Sequence, residues 1–367
     1  MPKAKYKKRA DGRYSTYVTI GTNSDGSRNR KAIYAHSIAE LERKKTELLL
    51  SKMTGYRPSN HTFGEYALAW LDTYKSNRRT NTKAMYARVL HTHILPEIGD
   101  CPLKDVSSTL LQQLINSRSD RPRTCEIIRL TLRQIIRRAY NDGLIQKDVT
   151  FDLTVPKREK REKRALYPHE KAALGRADLD SMERCLINLL YACGLRREEL
   201  LGLKIGDINR KEHTLTVSRV LVFDLDGLPI IEECTKSQSG KRTVPIPLEV
   251  YQKIVLPYIT PDIWNGDALL FRMQNGKPIS KSSYRRTWER ILRKLNEVSD
   301  DPIEGLTAYT FRHNYATNLY YSNISLKKAA ELMGHADTKL IMEVYAHLDE
   351  GRENAAEKLN NIFSSAL

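Results

Sequence analysis

Nine consecutive residues near the middle of the chain, Pro156-Lys157-Arg158-Glu159-Lys160-Arg161-Glu162-Lys163-Arg164, form a run of charge that has nothing to bury. Such a run reads as an exposed linker (156–164), so the chain on either side of it must fold around separate cores. A length of 367 residues points the same way, favouring two or three domains.

Two differently patterned stretches precede the linker. Residues 1–55 open on Lys3, Lys5, Lys7, Lys8 and Arg9 and continue in short β-like runs, one of them Arg13 to Ile20. Asp11-Gly12 and Asp25-Gly26 fall between the runs as favoured hairpin turns. Three short strands and a helix near Ser37 to Leu50 are predicted. Over residues 62–155 the period becomes helical, with a start signal at Thr62 and with Phe63, Tyr66, Trp70 and Leu71 on one side. A turn at Pro96 to Pro102 leaves room for three or four helices. Thr124 to Tyr140 places Ile127, Ile128, Leu132, Ile135 and Ile136 on an apolar face and Arg129, Arg133, Arg137 and Arg138 on the other.

After the linker, residues 165–350 form the largest domain, mostly helical with one β-rich insertion. Its predicted strands are Thr214 to Phe223, Pro229 to Thr235 and Thr243 to Ile246. Residues 351–367 read as a short amphipathic tail helix with Leu359, Ile362 and Phe363 along one side. The predicted fold class is mainly α with small β-sheets (α+β) in three domains.

Lys and Arg number 61 against 44 Asp and Glu, a net charge of +17, so the surface attracts a polyanion, and nucleic acid is the leading partner. The Arg129, Arg133, Arg137 stripe suits a phosphate backbone, although a solvated helix face has the same pattern. The basic N-terminal unit is either a DNA-reading sheet, with Arg13 among its cations, or a solvated arm. Lys160 and Arg161 of the linker add candidate backbone contacts. There is no apolar run long enough to span a membrane and no signal-peptide pattern, so a soluble intracellular protein is expected. Cys101, Cys125, Cys185, Cys193 and Cys234 are scattered and form no CxxC, which indicates neither a disulfide framework nor a zinc site. His91 and His93 lack carboxylate or cysteine companions and read as surface or packing residues. Gly240-Lys241 lacks the other residues of a nucleotide-binding loop, so ATP is not implied.

Three stretches carry chemistry. In Tyr191-Ala-Cys-Gly-Leu-Arg-Arg-Glu-Glu-Leu, Arg196 follows a Gly-Leu turn and Glu199 stands three residues on, on the same helix face. The arginine suits a phosphate clamp oriented by Glu199, and a structural ion pair is the alternative. Cys234-Thr-Lys-Ser-Gln-Ser-Gly-Lys-Arg-Thr-Val-Pro looks like two strands around a polar turn that presents Lys236 or Lys241. Finally, Thr307-Ala-Tyr-Thr-Phe-Arg-His precedes Leu332-Met-Gly-His and Val344-Tyr345. Here Ser325 caps a helix ending at Met333, Gly334 supplies the terminal turn, and Thr338 caps the helix bearing Tyr345. His335 and Tyr345 are thereby brought into one neighbourhood.

The ordered set Gly-Leu-Arg-x-x-Glu-Leu, a hairpin Thr-Lys, Phe-Arg-His-x-x-Ala-Thr, Leu-Met-Gly-His and Val-Tyr resembles the tyrosine recombinases, or phage-type integrases. The closest resemblance is to integrases of conjugative transposons with an extra N-terminal domain, and it covers nearly the whole chain. The matching positions are Arg196, Lys236, Arg312, His335 and Tyr345. One departure stands out: where the family has His two residues and then Arg, this chain has Tyr309 before Arg312. A phenol of pKa about 10 is a poor proton acceptor at neutral pH but still forms hydrogen bonds.

The resemblance implies that residues 1–55 bind arm-type DNA sites, residues 62–155 bind core sites, and residues 165–350 hold the catalytic centre. Tyr345 would attack to form a 3′-phosphotyrosyl link, Arg196 and Arg312 would hold the non-bridging oxygens, His335 would assist, and Lys236 would protonate the 5′ oxygen. Neither metal nor ATP would be needed. The implied partners are double-stranded attachment sites, a homotetramer on DNA and a small basic excision factor, in a bacterial cytoplasm at the nucleoid. The tail would dock on a neighbouring subunit or on its own domain. Two rivals remain, a catalytically silent architectural DNA-binding protein, favoured by Tyr309, and a type IB topoisomerase, disfavoured by residues 1–55.

Overall fold

In the computed structural model the described residues are 6–22, 27–54, 60–158, 164–233, 241–335, 338–339, 341–342 and 344–345. The expectations for Lys3, Lys5, Lys160, Arg161, Cys234, Lys236 and the 351–367 tail lie outside them. The chain divides into two compact units, Met1–Glu159 and Lys160–Leu367, and the division falls within the basic run.

The first unit contains two separate apolar clusters. In the smaller, β1 (Tyr14–Thr22) and β2 (Arg28–Ala35) pair antiparallel and α1 (Ile38–Thr54) packs on them. Val18, Ile33, Ala35, Leu41 and Tyr6 are buried between sheet and helix. Where three strands are predicted, the described residues hold two. Residues 9–13 are taken up by the Asp11-Gly12 turn, in which Gly12 N–H donates to the Arg9 carbonyl at 3.0 Å, so Lys8 makes only a single bridge to Tyr14.

The larger cluster is built by α2 (Phe63–Lys75), α3 (Thr80–Val89), α4 (Ser108–Asn116) and α5 (Pro122–Asn141). Thr62 begins α2 with a reciprocal cap: its hydroxyl accepts from Glu65 N–H at 3.2 Å and the Glu65 carboxylate accepts from Thr62 N–H at 2.9 Å. Ile128, Leu132, Ile135 and Ile136 of α5 are fully buried, as the helical period requires. The predicted turn at Pro96 begins later. After α3 the helix continues through a wider turn, Leu90–Ile94, into Leu95–Ile98, and ends at Gly99. Pro96 follows this wider turn, in which Leu95 N–H reaches back five residues to the Leu90 carbonyl, so the helix runs on past the proline before it ends.

The first described residue of the second unit, Arg164, is not solvated linker. Its guanidinium grips both oxygens of Glu170, at 2.7 Å each, and lies 4.0 Å from the Tyr167 ring centroid. Then follow α6 (Pro168–Arg176), α7 (Ser181–Cys193) and α8 (Arg197–Gly202). Next come the short strand β3 (Ile208–Asn209) and then β4 (Thr214–Val217), β5 (Arg219–Phe223), β6 (Pro229–Glu233) and β7 (Arg242–Pro245). The predicted strand from Thr214 to Phe223 breaks at Ser218, where the burial alternation loses phase: Leu215 and Val217 point inward, then Leu221 and Val222. β4 therefore pairs with β3 and β7, whereas β5 pairs with β6.

After helical turns spanning Leu248 to Ile259 come α9 (Lys281–Val298), α10 (Ala308–Tyr321) and α11 (Leu326–Met333). Phe271, Phe311, Ile291 and Leu295 are fully buried in the main cluster of this unit. Tyr315, Leu319, Leu332, Met333 and Ile341 form a second one, against which Tyr345 packs. No described helix is long and apolar enough to cross a membrane. Cys125, Cys185 and Cys193 are buried free thiols, and Cys101 is half-buried.

Candidate active site

Three helix ends and one strand meet at the site. Gly194 closes α7 in the left-handed conformation (φ 58°), turning the chain so that Arg196 becomes the extended residue that begins α8. The local sequence then binds itself: Arg196 N–H donates to Glu199 Oε2 at 2.9 Å, and Arg196 Nη1 donates to Glu199 Oε1 at 2.6 Å. A third bond carries Arg196 Nη2 to the Gly334 carbonyl at 3.3 Å. Glu199 is almost wholly buried, whereas Arg196 keeps 39% of its side chain exposed, enough to meet a ligand.

Arg312 lies on α10 one position after Phe311, whose burial in the core orients the helix. Its Nη1 donates to the Gly194 carbonyl at 2.8 Å, and its Nη2 donates to the Met333 carbonyl and to His335 Nε2, the latter at 2.8 Å. Because a guanidinium only donates, His335 Nε2 is the acceptor and the ring proton resides on Nδ1. That Nδ1 is buried and has no partner among the described residues. His335 follows Gly334, whose left-handed conformation (φ 63°) ends α11, and the predicted cap at Ser325 is present, its hydroxyl accepting from Lys328 N–H at 3.3 Å.

Electrostatics follow from crowding cations in a partly dry place. Burial, and then Arg196, lower the Arg312 pKa to about 9, still protonated at neutral pH. Burial, then the charges of Arg312, Arg196 and Arg242, lower His335 to about 4, so its ring is neutral. Burial pushes Glu199 up, but hydrogen bonds and charge from Arg242 and Arg196 overcome it and hold the carboxylate at about 2. Three guanidiniums against one carboxylate leave two net positive charges at the centre of the site.

Tyr309 and Tyr345 stand differently. Tyr309, in the first turn of α10, is 57% exposed. It lines a cleft of about 420 Å³ with Arg196, Arg312, Tyr284 and Trp288. Tyr345 donates its hydroxyl to the Ile324 carbonyl at 3.3 Å and sets its ring edge-on to Tyr320, with centroids 5.0 Å apart. Burial raises its pKa. Among the described residues its hydroxyl bonds neither arginine nor His335, so in the DNA-free chain the phenol rests on a loop carbonyl.

Arg242 was missed from the sequence. It is buried, donates from Nη1 and Nη2 to the two Glu199 oxygens at 2.9 and 2.7 Å, and from Nε to the Leu332 carbonyl at 2.8 Å. The signal was present: strand alternation puts Arg242 on the same inward face as Val244. Its neighbour Lys241 is exposed, as expected.

The remaining basic candidates divide. Lys7, Lys8, Arg9 and Arg13 are exposed, but Arg9 and Arg13 share the Asp11 carboxylate and flank the Tyr34 ring. Arg129 is half-buried and reaches the Leu153 carbonyl at 3.4 Å, and Arg138 pairs with Asp142. Arg133 and Arg137 are exposed on α5 without an ion-pair partner among the described residues. His91 and His93 sit in the wide helical turn, one exposed and one half-buried. No group of three or more potential metal ligands occurs among the described residues.

The "Phage integrase family" profile matches residues 161–352, and the profile "Phage integrase, N-terminal SAM-like domain" matches residues 62–118. A tyrosine recombinase XerC-like protein of Caldanaerobacter subterraneus subsp. tengcongensis is 25% identical over 98% of this chain and 99% of its own. The transposase from transposon Tn916 of Enterococcus faecalis is 29% identical over 55% of this chain and 50% of its own. Among solved structures, the Tn1549 transposon integrase in complex with a circular intermediate DNA superposes with TM-score 0.68 at 25% identity, covering 82% of this chain and 99% of that one. A lambda integrase tetramer bound to a Holliday junction shares the fold, with TM-score 0.55 at 17% identity over 92% and 94% of the two chains.

Proposed function

Because the chain belongs to the phage integrase family of tyrosine recombinases, site-specific recombinases that act on DNA, we propose that it integrates and excises a mobile element by metal-free and ATP-free transesterification at the Arg196–Arg312–His335 site. The observation that carries this is the unbalanced charge. Two net positive charges among Arg196, Arg242, Arg312 and Glu199 suit the pentacoordinate phosphorane of a diester, which carries two negative ones.

Tyr345 Oη releases its proton to solvent and attacks the scissile phosphorus, forming the Tyr–O–P bond as the P–O5′ bond breaks. Arg196 and Arg312 hold the non-bridging oxygens, which compete for guanidinium N–H groups now given to the Gly334 and Met333 carbonyls. His335 assists them beside Arg312, Tyr309 adds a hydrogen bond from the cleft wall, and Lys236 gives its proton to the departing 5′ oxygen. The phosphotyrosyl bond keeps the energy of the broken diester, so a new 5′ hydroxyl reverses the step on another strand. Tyr345 must leave the Ile324 carbonyl to react, which ties cleavage to arrival of DNA.

The domain assignments follow the same reading: residues 1–55 on arm-type sites, 62–155 on core-type sites, 165–350 for chemistry, and a homotetramer spanning two duplexes with a small basic excision factor. The test supplies two labelled duplexes carrying element-end sequences, in EDTA and without nucleotide. Strand-exchanged products are expected. Tight binding without exchange would turn the reading toward an architectural protein, and supercoil relaxation without exchange toward a topoisomerase.

A further inference from the structure

Arg242 makes three hydrogen bonds to two parts of the site, and no reaction step needs it directly. Its two terminal nitrogens take both oxygens of Glu199, and its Nε holds the Leu332 carbonyl, three residues before His335. Arg242 and Glu199 each keep only 4% of their side chain exposed, and neither lines the cleft that Arg196 and Arg312 line, so Arg242 is set back from a phosphate bound there. Glu199, however, also accepts from Arg196 at 2.6 Å, and Arg196 is exposed at the cleft. One buried carboxylate is therefore shared between a hidden arginine and an open one.

That sharing matters because Glu199 is both what orients Arg196 and what would cancel its charge. If the carboxylate had no other cation, the Arg196–Glu199 pair would present a neutral group to the phosphate, and the positive potential required for an oxyanion would be lost. We propose that Arg242 is a positioning residue that occupies Glu199, so that Glu199 fixes the geometry of Arg196 without neutralising it, and that Arg242 in the same stroke pins the carbonyl end of α11 from which His335 projects. The inference rests on the assignment of Arg196 as a phosphate ligand and adds to it the residue that keeps that ligand charged.

The test compares covalent-complex formation by the full chain on a nicked duplex whose scissile group is either a phosphodiester or a methylphosphonate, which lacks one negative charge. Arg242→Met is expected to be slowed by roughly 100-fold or more on the phosphodiester and by less than about 10-fold on the methylphosphonate. Arg242→Met combined with Glu199→Gln, which keeps an acceptor for Arg196 but removes the anion, is expected to recover at least about 10-fold on the phosphodiester. Loss of a purely structural contact would slow both substrates alike and would not be relieved by the second substitution, and either result overturns the proposal. If Arg242→Met does not fold because Glu199 is left unpaired, the double variant alone decides. Activity within about 10-fold of wild type supports the proposal, and activity as low as that of Arg196→Ala overturns it. Arg196→Ala runs in parallel. Normal cleavage by it would remove the reading of the site itself, a failure separate from that of Arg242.

Discussion

Gly194→Ala probes how tightly backbone and chemistry are coupled at this site. Two costs are separable. The residue has φ 58°, and an alanine there costs roughly 1–2 kcal/mol from Cβ crowding against its own backbone. The added Cβ would also lie 2.2 Å from Tyr315 Cδ1 and 2.6 Å from its Cγ, inside any real contact distance. Tyr315 is buried on α10 and cannot swing into solvent, so α7 and α10 must separate at about 1–3 kcal/mol. The sum is about 2–5 kcal/mol. Gly276→Ala is the control, since Gly276 has φ 77° with nothing within 4 Å of its Cβ position, and only the roughly 1–2 kcal/mol backbone cost applies. Urea unfolding is followed by tryptophan fluorescence in a Trp70→Phe background, leaving Trp264 and Trp288 to report on the second unit. Cleavage should fall further than stability, because the Gly194 carbonyl that anchors Arg312 moves with the clash. A Gly194→Ala cost no larger than that of Gly276→Ala would refute the packing argument.

Two further outcomes are expected. His335 ordinarily titrates at 6.5 but is held at about 4 here, so between those values the unfolded chain takes up a proton that the folded chain refuses. Its contribution to stability is full above pH 6.5 and erodes as pH falls toward 4, and His335→Gln should flatten that part of the stability profile; an unchanged slope would sink the assignment. Arg133→Ala with Arg137→Ala should weaken DNA binding across all sequences and lower the slope of log K against log salt by roughly 2, as two lost phosphate contacts require. Fluorescence anisotropy at several salt concentrations measures it, and an unaltered slope would return the stripe to a solvated face.

Much of the site was legible because it is encoded by local spacing. Gly194, Arg196 and Glu199 make a helix start whose geometry follows from three residues, and Ser325, Gly334 and His335 define a helix by its ends. What joins these pieces is long-range and was not legible: the Arg312–Gly194 and Arg196–Gly334 bonds span more than a hundred residues of chain. Arg242 sits between these cases. Alternation with Val244 faces it inward, yet the stretch draws attention to its exposed lysines and not to the arginine beside them. The fold errors have similar origins. Pro96 reads as a turn although a widened helical turn carries the chain past it, and Thr214 to Phe223 reads as one strand although the phase slips at Ser218.

The central claim is that Tyr345, one tyrosine among 19, becomes covalently joined to DNA. Covalent complex trapped on a nicked element-end duplex in EDTA would be digested with protease and nuclease, and the nucleotide-bearing peptide sequenced by mass spectrometry. The account requires the added mass on Tyr345, with no adduct formed by Tyr345→Phe. An adduct on any other residue, or one that persists in Tyr345→Phe, would contradict it.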